Sequence, residues 1–285
     1  QQGMNSILNY AGSTLTIASW DFTTNPNTVN YNRSGVQTVR AITYYNLGIA
    51  GSGIKTLGGT VLVSNNLTVT AGTLSLSTFD ITVSGTSSIT GTLSDGNNAG
   101  IDTFVGLVTI NVGGVWLSTS VTTPANLIFQ GGITSNGTSF NAAVATFNTN
   151  DQSISGTRIL TFTGTSVVVT GFVVTNSGTV AMTNTGAGVL NGTGTWTQGT
   201  NGTLRYAGTT ITVTTVDFST NAPNTVDYNR AGIQTVRATT YDNLNLSTSG
   251  AKSQSAAGNV IINNAFDIDA GVTYDVINDA SLYTE

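Results

Sequence analysis

The chain has 285 residues, 8 of them basic and 13 acidic, with a net charge of -5 and a pI near 4.4. It holds no cysteine and no histidine, which removes disulfides, thiolate chemistry, and the commonest general base and metal ligand. With no basic cluster, nucleic acid is not an expected partner.

Hydrophobic residues make up 39%, yet the longest nearly apolar run, around Val167 to Val174, is interrupted by Thr170 and Gly171. A helix across a bilayer needs about 20 such residues. A transmembrane barrel would want strands of about 9–11 residues and aromatic girdles, and most segments here are shorter. There are 34 Gly, 53 Thr and only three Pro, which favours short strands and tight turns over helices. Gln1 cannot start a translated chain, so processing or truncation is implied.

The chain opens on a stretch that it contains twice. Tyr10, Ala11, Gly12, Asp21 and Phe22 recur 196 positions later as Tyr206, Ala207, Gly208, Asp217 and Phe218. After the inserted Ala222 the offset is 197, and Pro26 to Ile49 matches Pro223 to Leu246 at 17 of 24 positions. The duplication extends over 2–86 and 198–285, about one and a half large repeats, and we read 1–285 as a single continuous repetitive domain.

From Leu67 onward the pattern is clearest: Leu67-Thr-Val69, Leu74-Ser-Leu76, Ile81-Thr-Val83, then Ile89. Apolar pairs spaced i, i+2 share one face of a strand, so each pair points inward and the Thr or Ser between points outward. The pairs recur about every seven residues, so three strands make a coil of about 21. This predicts an all-β parallel β-solenoid of about 13 short turns, roughly 60 Å long. The alternative is a tandem of antiparallel β-sandwiches, for which this spacing is tight.

Further on, Val105 to Ile110, Val115-Trp-Leu117, Leu127-Ile-Phe129, Ile159 to Phe162 and Val167-Val-Val169 continue the texture. Ala145-Thr-Phe147 followed by Gln152-Ser-Ile154 faintly echoes Val29-Asn-Tyr31 followed by Gln37-Thr-Val39. The Gly/Thr/Asn-rich stretch 186–202 keeps apolar anchors at Val189, Leu190 and Trp196, so no domain boundary is placed there.

Candidate chemistry is sparse. Arg33 and Arg40 recur as Arg230 and Arg237, and Asp21 as Asp217. Arg forks bind acidic sugars, but the simpler expectation is that Asp and Arg pair between neighbouring turns. Asp267 and Asp269 share a strand face, and Asp95 and Asp102 bracket a Gly/Asn-rich turn; these four are the candidates for calcium, set against the simpler account of solvated surface. No cofactor is expected. Sequons occur at Asn32, Asn66, Asn136, Asn191, Asn201 and Asn245, as this composition would give by itself. Phe22, Tyr31, Tyr44, Tyr45 and Trp20 could stack sugars or line the core; Val216 and Asp242 replace Trp20 and Tyr45 in the second copy, against an essential aromatic platform.

The phrases 66–76 (Asn-Leu-Thr-Val-Thr-Ala-Gly-Thr-Leu-Ser-Leu), 28–31 with 37–41, and 194–199 (Gly-Thr-Trp-Thr-Gln-Gly) resemble secreted, repetitive β-strand proteins of bacterial surfaces, the adhesin-like and filamentous-haemagglutinin-like β-solenoids. The resemblance implies an extracellular or cell-surface protein that is not an enzyme. Its work would be structural, in attachment, biofilm matrix or a sheath, as a subunit of a fibre or stalk. The alternatives are a glycan- or ice-binding solenoid using outward Thr68, Thr82 and Thr90, and a polysaccharide-degrading β-helix enzyme.

The expected partners are copies of the chain head to tail, and surface glycans, without membrane insertion. Gln2-Gly3 aligns with Gln198-Gly199, and Asp269-Ala-Gly271 with Thr70-Ala-Gly72. The expected contact places Gln2, Gly3, Leu8, Tyr10, Leu15 and Ile17 of one copy against Phe266, Ile268, Val272, Tyr274, Val276, Leu282 and Tyr283 of another.

Overall fold

A computed structural model describes residues 1–16, 19–96, 100–118, 126–256 and 258–276. Among them every strand pairing is parallel and joins strands of successive coils, which excludes the antiparallel sandwich. Strand β1 (Ser6–Tyr10) lies under β2 (Asn27–Tyr31). From β2 the chain turns a corner into β3 (Gln37–Val39) and another into β4 (Thr43–Tyr44), then returns to the first face as β5 (Asn46–Ile49) on top of β2. Each coil therefore contributes one strand to each of three walls.

Among the described residues the first wall has 11 strands and the second 12. The third has eight, then an irregular coil in which Thr212 N–H donates to the Leu190 carbonyl at 2.9 Å and Thr235 N–H to that of Thr209 at 2.8 Å, then three more. The second wall gives twelve coils among the described residues, against about 13 expected from length, because several corners carry extra residues. At about 4.8 Å per coil the rod is about 58 Å long.

The inward pattern is as read from the sequence. Leu67, Val69, Leu74, Leu76, Ile81, Val83 and Ile89 are all fully buried, and the intervening Thr68, Ser75 and Thr82 face outward. Because like positions stack coil on coil, the core is a set of ladders such as Val29, Leu47, Leu67, Ser87, Val108 and Ile133. Phe104, Phe129 and Phe147 form another, with ring centroids 5.8 and 5.5 Å apart. Each fully buried Leu or Val in these rows contributes roughly 1.5–3 kcal/mol relative to exposure.

The duplicate does not return to the wall from which it started. Nine steps up the first wall lead from β1 to Thr195–Gln198, and the copy of β1, Thr203–Tyr206, is the next strand, on the second wall. The two copies are thus nine coils and one third apart. Each set of side chains recurs about 45 Å along the rod and on the neighbouring wall.

Candidate functional site

The duplicated residues build a corner, and they build it the same way twice. Gln37 follows β2 with its side chain buried; its Nε2 donates to the carbonyls of Tyr10 and Gly12, both at 2.7 Å, and its Oε1 accepts from Arg33 N–H at 3.3 Å. Gln234 repeats this with Tyr206, Gly208 and Arg230, at 2.7, 2.7 and 3.2 Å. One amide side chain thereby satisfies three main-chain groups that the bend takes out of the sheet ladder.

Directly above these glutamines sit the chain's only two lysines. Both are fully buried, and both ammonium groups are enclosed by carbonyls. Lys55 Nζ donates to Arg33 O at 2.6 Å, Gly51 O at 3.1 Å, and Ser52 O; Lys252 Nζ donates to Arg230 O, to Ser249 O at 3.2 Å and to Gly232 O at 3.4 Å. Burial lowers both ammonium pKa values.

Two tyrosines close the next corner. Arg40 N–H donates to Tyr31 OH (3.1 Å), Tyr31 OH to Tyr44 OH (2.7 Å), and Tyr44 OH to Arg40 O (2.8 Å). Tyr228, Tyr241 and Arg237 repeat the ring at 3.1, 2.9 and 2.7 Å. Burial raises these phenol pKa values. Tyr31, Tyr44 and Phe22 are therefore core residues, not an exposed sugar platform.

Among the described residues the contacts of these groups are not the expected Asp–Arg pairs. Asp21 accepts from Thr23 N–H, Thr24 N–H and Thr24 OH, and these bonds hold its carboxyl down at about 2. Asp217 caps Ser219 and Thr220 in the same way. The guanidinium groups reach main-chain carbonyls of the coil below: Arg40 that of Leu15, and Arg237 those of Ile211, Val213 and Thr214. A carbonyl acceptor on the adjacent coil is closer at hand than a carboxylate already tied into its own turn.

The faint echo at Gln152 is structural. Its Nε2 donates to Phe129 O at 2.7 Å and Asn148 O at 2.8 Å, and its Oε1 accepts from Gly132 N–H at 3.1 Å. Gln37, Gln152 and Gln234 stand at three different corners, so each corner carries one instance.

Asp95 and Asp102 are not solvated turn residues. Both are fully buried. Asp102 stands in the row between Ile81 and Leu127 that apolar side chains otherwise fill, and Asp95 stands directly over Leu76. Asp102 Oδ1 accepts from Ile81 N–H at 2.9 Å while Oδ2 has no hydrogen-bond donor among the described residues, and Trp116 Nε1 donates to Asp95 Oδ2 at 3.4 Å. Burial, reinforced by the nearby negative charges of Asp95 and Asp80, pushes Asp102 up to about 7. Asp267 and Asp269 project outward at the other end, where Asp269 Oδ2 accepts from Thr248 N–H at 3.4 Å. Among the described residues no three Asp, Glu, His or Cys side chains converge as a metal site.

Of the residues expected at the ends, Leu15 is buried, Gln2, Leu8, Tyr10, Val272 and Tyr274 are half-buried, and Gly3, Phe266, Ile268 and Val276 are exposed. Ile17, Leu282 and Tyr283 lie outside the described residues. A shallow depression of about 330 Å³ on the first wall is lined by Thr28, Asn30, Asn46, Leu47, Gly48, Asn66 and Thr68, which supply amides and hydroxyls and no titratable group. No family model, curated protein or solved structure matches the chain.

Sequence reading alone missed the lysine pair and the depth of Asp102. The first had a signal: two lysines in 285 residues fall at an offset of 197, the offset of the duplication. The second had none, because a single Asp in an Ile-Asp-Thr-Phe strand has the same spacing whether the odd or even residues face inward.

Proposed function

We propose that the chain is a structural β-solenoid, a rigid segment of an extracellular or cell-surface fibre or adhesin stalk of bacterial type, working through length and stiffness rather than catalysis. What supports this reading is how the polar groups are used. The duplicated Gln, Lys and Tyr side chains, with those of Arg40, Arg230 and Arg237, are engaged with main-chain groups at corners. The outer surface of the middle coils is nearly free of charge: residues 56–150 contain no Lys or Arg and only Asp80, Asp95 and Asp102, the last two buried. Such a wall of Thr, Ser and Asn offers shape and hydration, not a reactive centre.

Stacking end to end would lengthen the rod without new architecture, since each coil is stabilised by its neighbours. Small-angle scattering on purified protein tests both parts. The expected result is a rod of about 58 Å that lengthens with concentration. A compact particle, or loss of polysaccharide viscosity on adding the protein, would overturn the structural reading.

A further inference from the structure

The two copies of the repeat agree in the core and part company on the outer face. In the second copy the outward row reads Arg205, Asp227 and Asn245, stacked coil on coil, a charged row with a side chain at every step. In the first copy the same row reads Asn9, Asn30 and Gly48, followed by Thr68, a neutral row with one side chain missing. The depression of about 330 Å³ on the first wall opens over that gap.

Gly48 stands inside β5, and among the described residues the only other glycine in a strand is Gly250, which begins one. Its backbone has no left-handed φ that would call for glycine. A glycine within a strand weakens it and often marks a place where another molecule approaches closely. A Cβ at this position would run into the carboxamide of Asn30, which lies across it as a flat floor.

The side chains around the floor are held at one end and open at the other. Asn30 Nδ2 donates to Asn9 Oδ1 at 2.9 Å, while Asn30 Oδ1 accepts nothing among the described residues. Asn66 Oδ1 accepts from Thr86 N–H at 2.9 Å and Thr86 OH at 3.1 Å, which leaves both N–H groups of Asn66 Nδ2 unused there. Thr28 Oγ1 accepts from Asn46 Nδ2 at 3.3 Å and keeps its own proton, and the Thr68 hydroxyl is unengaged among the described residues. Thr28 and Asn30 stand one coil below β5 and Asn66 and Thr68 one coil above, so the two rims are about 10 Å apart. An acceptor, two hydroxyls and a pair of N–H donors are thereby fixed around one glycine without any ligand to order them, and at about 300 Å³ a depression is large enough for a small molecule.

This chemistry selects its occupant. An acidic ligand would want an Arg fork or a Lys, and the lining has neither. An apolar ligand would strip water from these amides and hydroxyls and give nothing back. A peptide binds by adding a strand to a sheet edge or by filling an apolar pocket, and the wall here is continuous and polar. A neutral sugar ring carries hydroxyls that both donate and accept around its rim.

We propose that the depression over Gly48 is a binding site for one neutral hexose unit of a polysaccharide, with Asn30 as floor and acceptor, Asn66 as donor, and Thr28 and Thr68 as flanking hydroxyls. The inference goes beyond the fibre reading and does not use it. The second copy, with Asn245 in place of the glycine and Asp227 in place of Asn30, has lost the site.

The test is isothermal titration, with side-chain amide NMR spectra, of the protein against hexaoses of glucose, mannose, galactose and N-acetylglucosamine, and against hexagalacturonate as the acidic member. Expected is binding of at least one neutral hexaose with a Kd of about 1 mM or tighter, with shifts at the Asn30 and Asn66 amides and none from hexagalacturonate. Gly48→Asn, which installs the residue of the second copy, should weaken that binding at least about tenfold at unchanged melting temperature. Asn66→Asp keeps the oxygen that holds Thr86 and removes only the free N–H donors; it should weaken binding by a similar factor, and it decides the matter should Gly48→Asn fail to fold. No binding of any neutral hexaose at about 10 mM, equal binding by both variants, or equal binding of hexagalacturonate would each overturn the proposal. Rod length by scattering is read separately, so a failure here leaves the fibre reading standing.

Discussion

Asp102 makes the rod less stable as pH rises through a range where few other groups titrate. Its carboxyl is raised from 3.8 to about 7, first by burial and then by the like charges of Asp95 and Asp80, against the opposing bond from Ile81 N–H. A carboxyl with a raised pKa binds its proton more tightly in the folded state. The stabilisation is therefore complete below about pH 4, declines as pH rises towards 7, and is gone above it. A shift of about three units at about 1.4 kcal/mol each gives a loss of about 4 kcal/mol between pH 4 and pH 8. The variant Asp102→Asn keeps the shape and cannot ionise. Urea unfolding of both proteins in chelator-containing buffer should give a stability difference that grows in favour of the variant by about 4 kcal/mol between pH 4 and pH 8. A difference independent of pH would mean that Asp102 is ionised or solvated in the folded coil, and the burial argument would be refuted.

Val69→Asp should cost more than about 3 kcal/mol by placing an unpaired charge in a sealed ladder, whereas Arg33→Ala should cost under about 1 kcal/mol; thermal melts ranking them the other way would invert the inward and outward assignment. Tyr44→Phe removes the hydroxyl that donates to Arg40 O and accepts from Tyr31, and should cost about 1–3 kcal/mol, with Tyr241→Phe costing the same within error because the ring is duplicated; paired urea titrations check both. Chelator should leave the melting temperature unchanged; a drop of about ten degrees would identify a structural cation and point to Asp95, Asp102, Asp267 or Asp269.

The sequence alone determined the solenoid and its inward face, because both are local. A residue pair i, i+2 must share a face of a strand, and a seven-residue spacing leaves room for a strand and a corner but not a hairpin, so Leu67, Val69, Leu74, Leu76, Ile81 and Val83 were assignable without coordinates. The duplication was legible for the same reason, residue by residue. Which wall each strand joins is not local. It depends on the sum of all preceding corner lengths, and an offset of 196 closes only after nine coils and a further third, so Tyr31 and Tyr228 point into the core from different walls. The partners of Gln37, Gln152, Lys55 and Lys252 likewise came only from stacking. Each reaches carbonyls up to 28 residues away that become neighbours once one coil lies on another. Asp102 was placed by the same rule: its strand had to stay in register with Ile81 below and Leu127 above, and that register carried a carboxyl into the core.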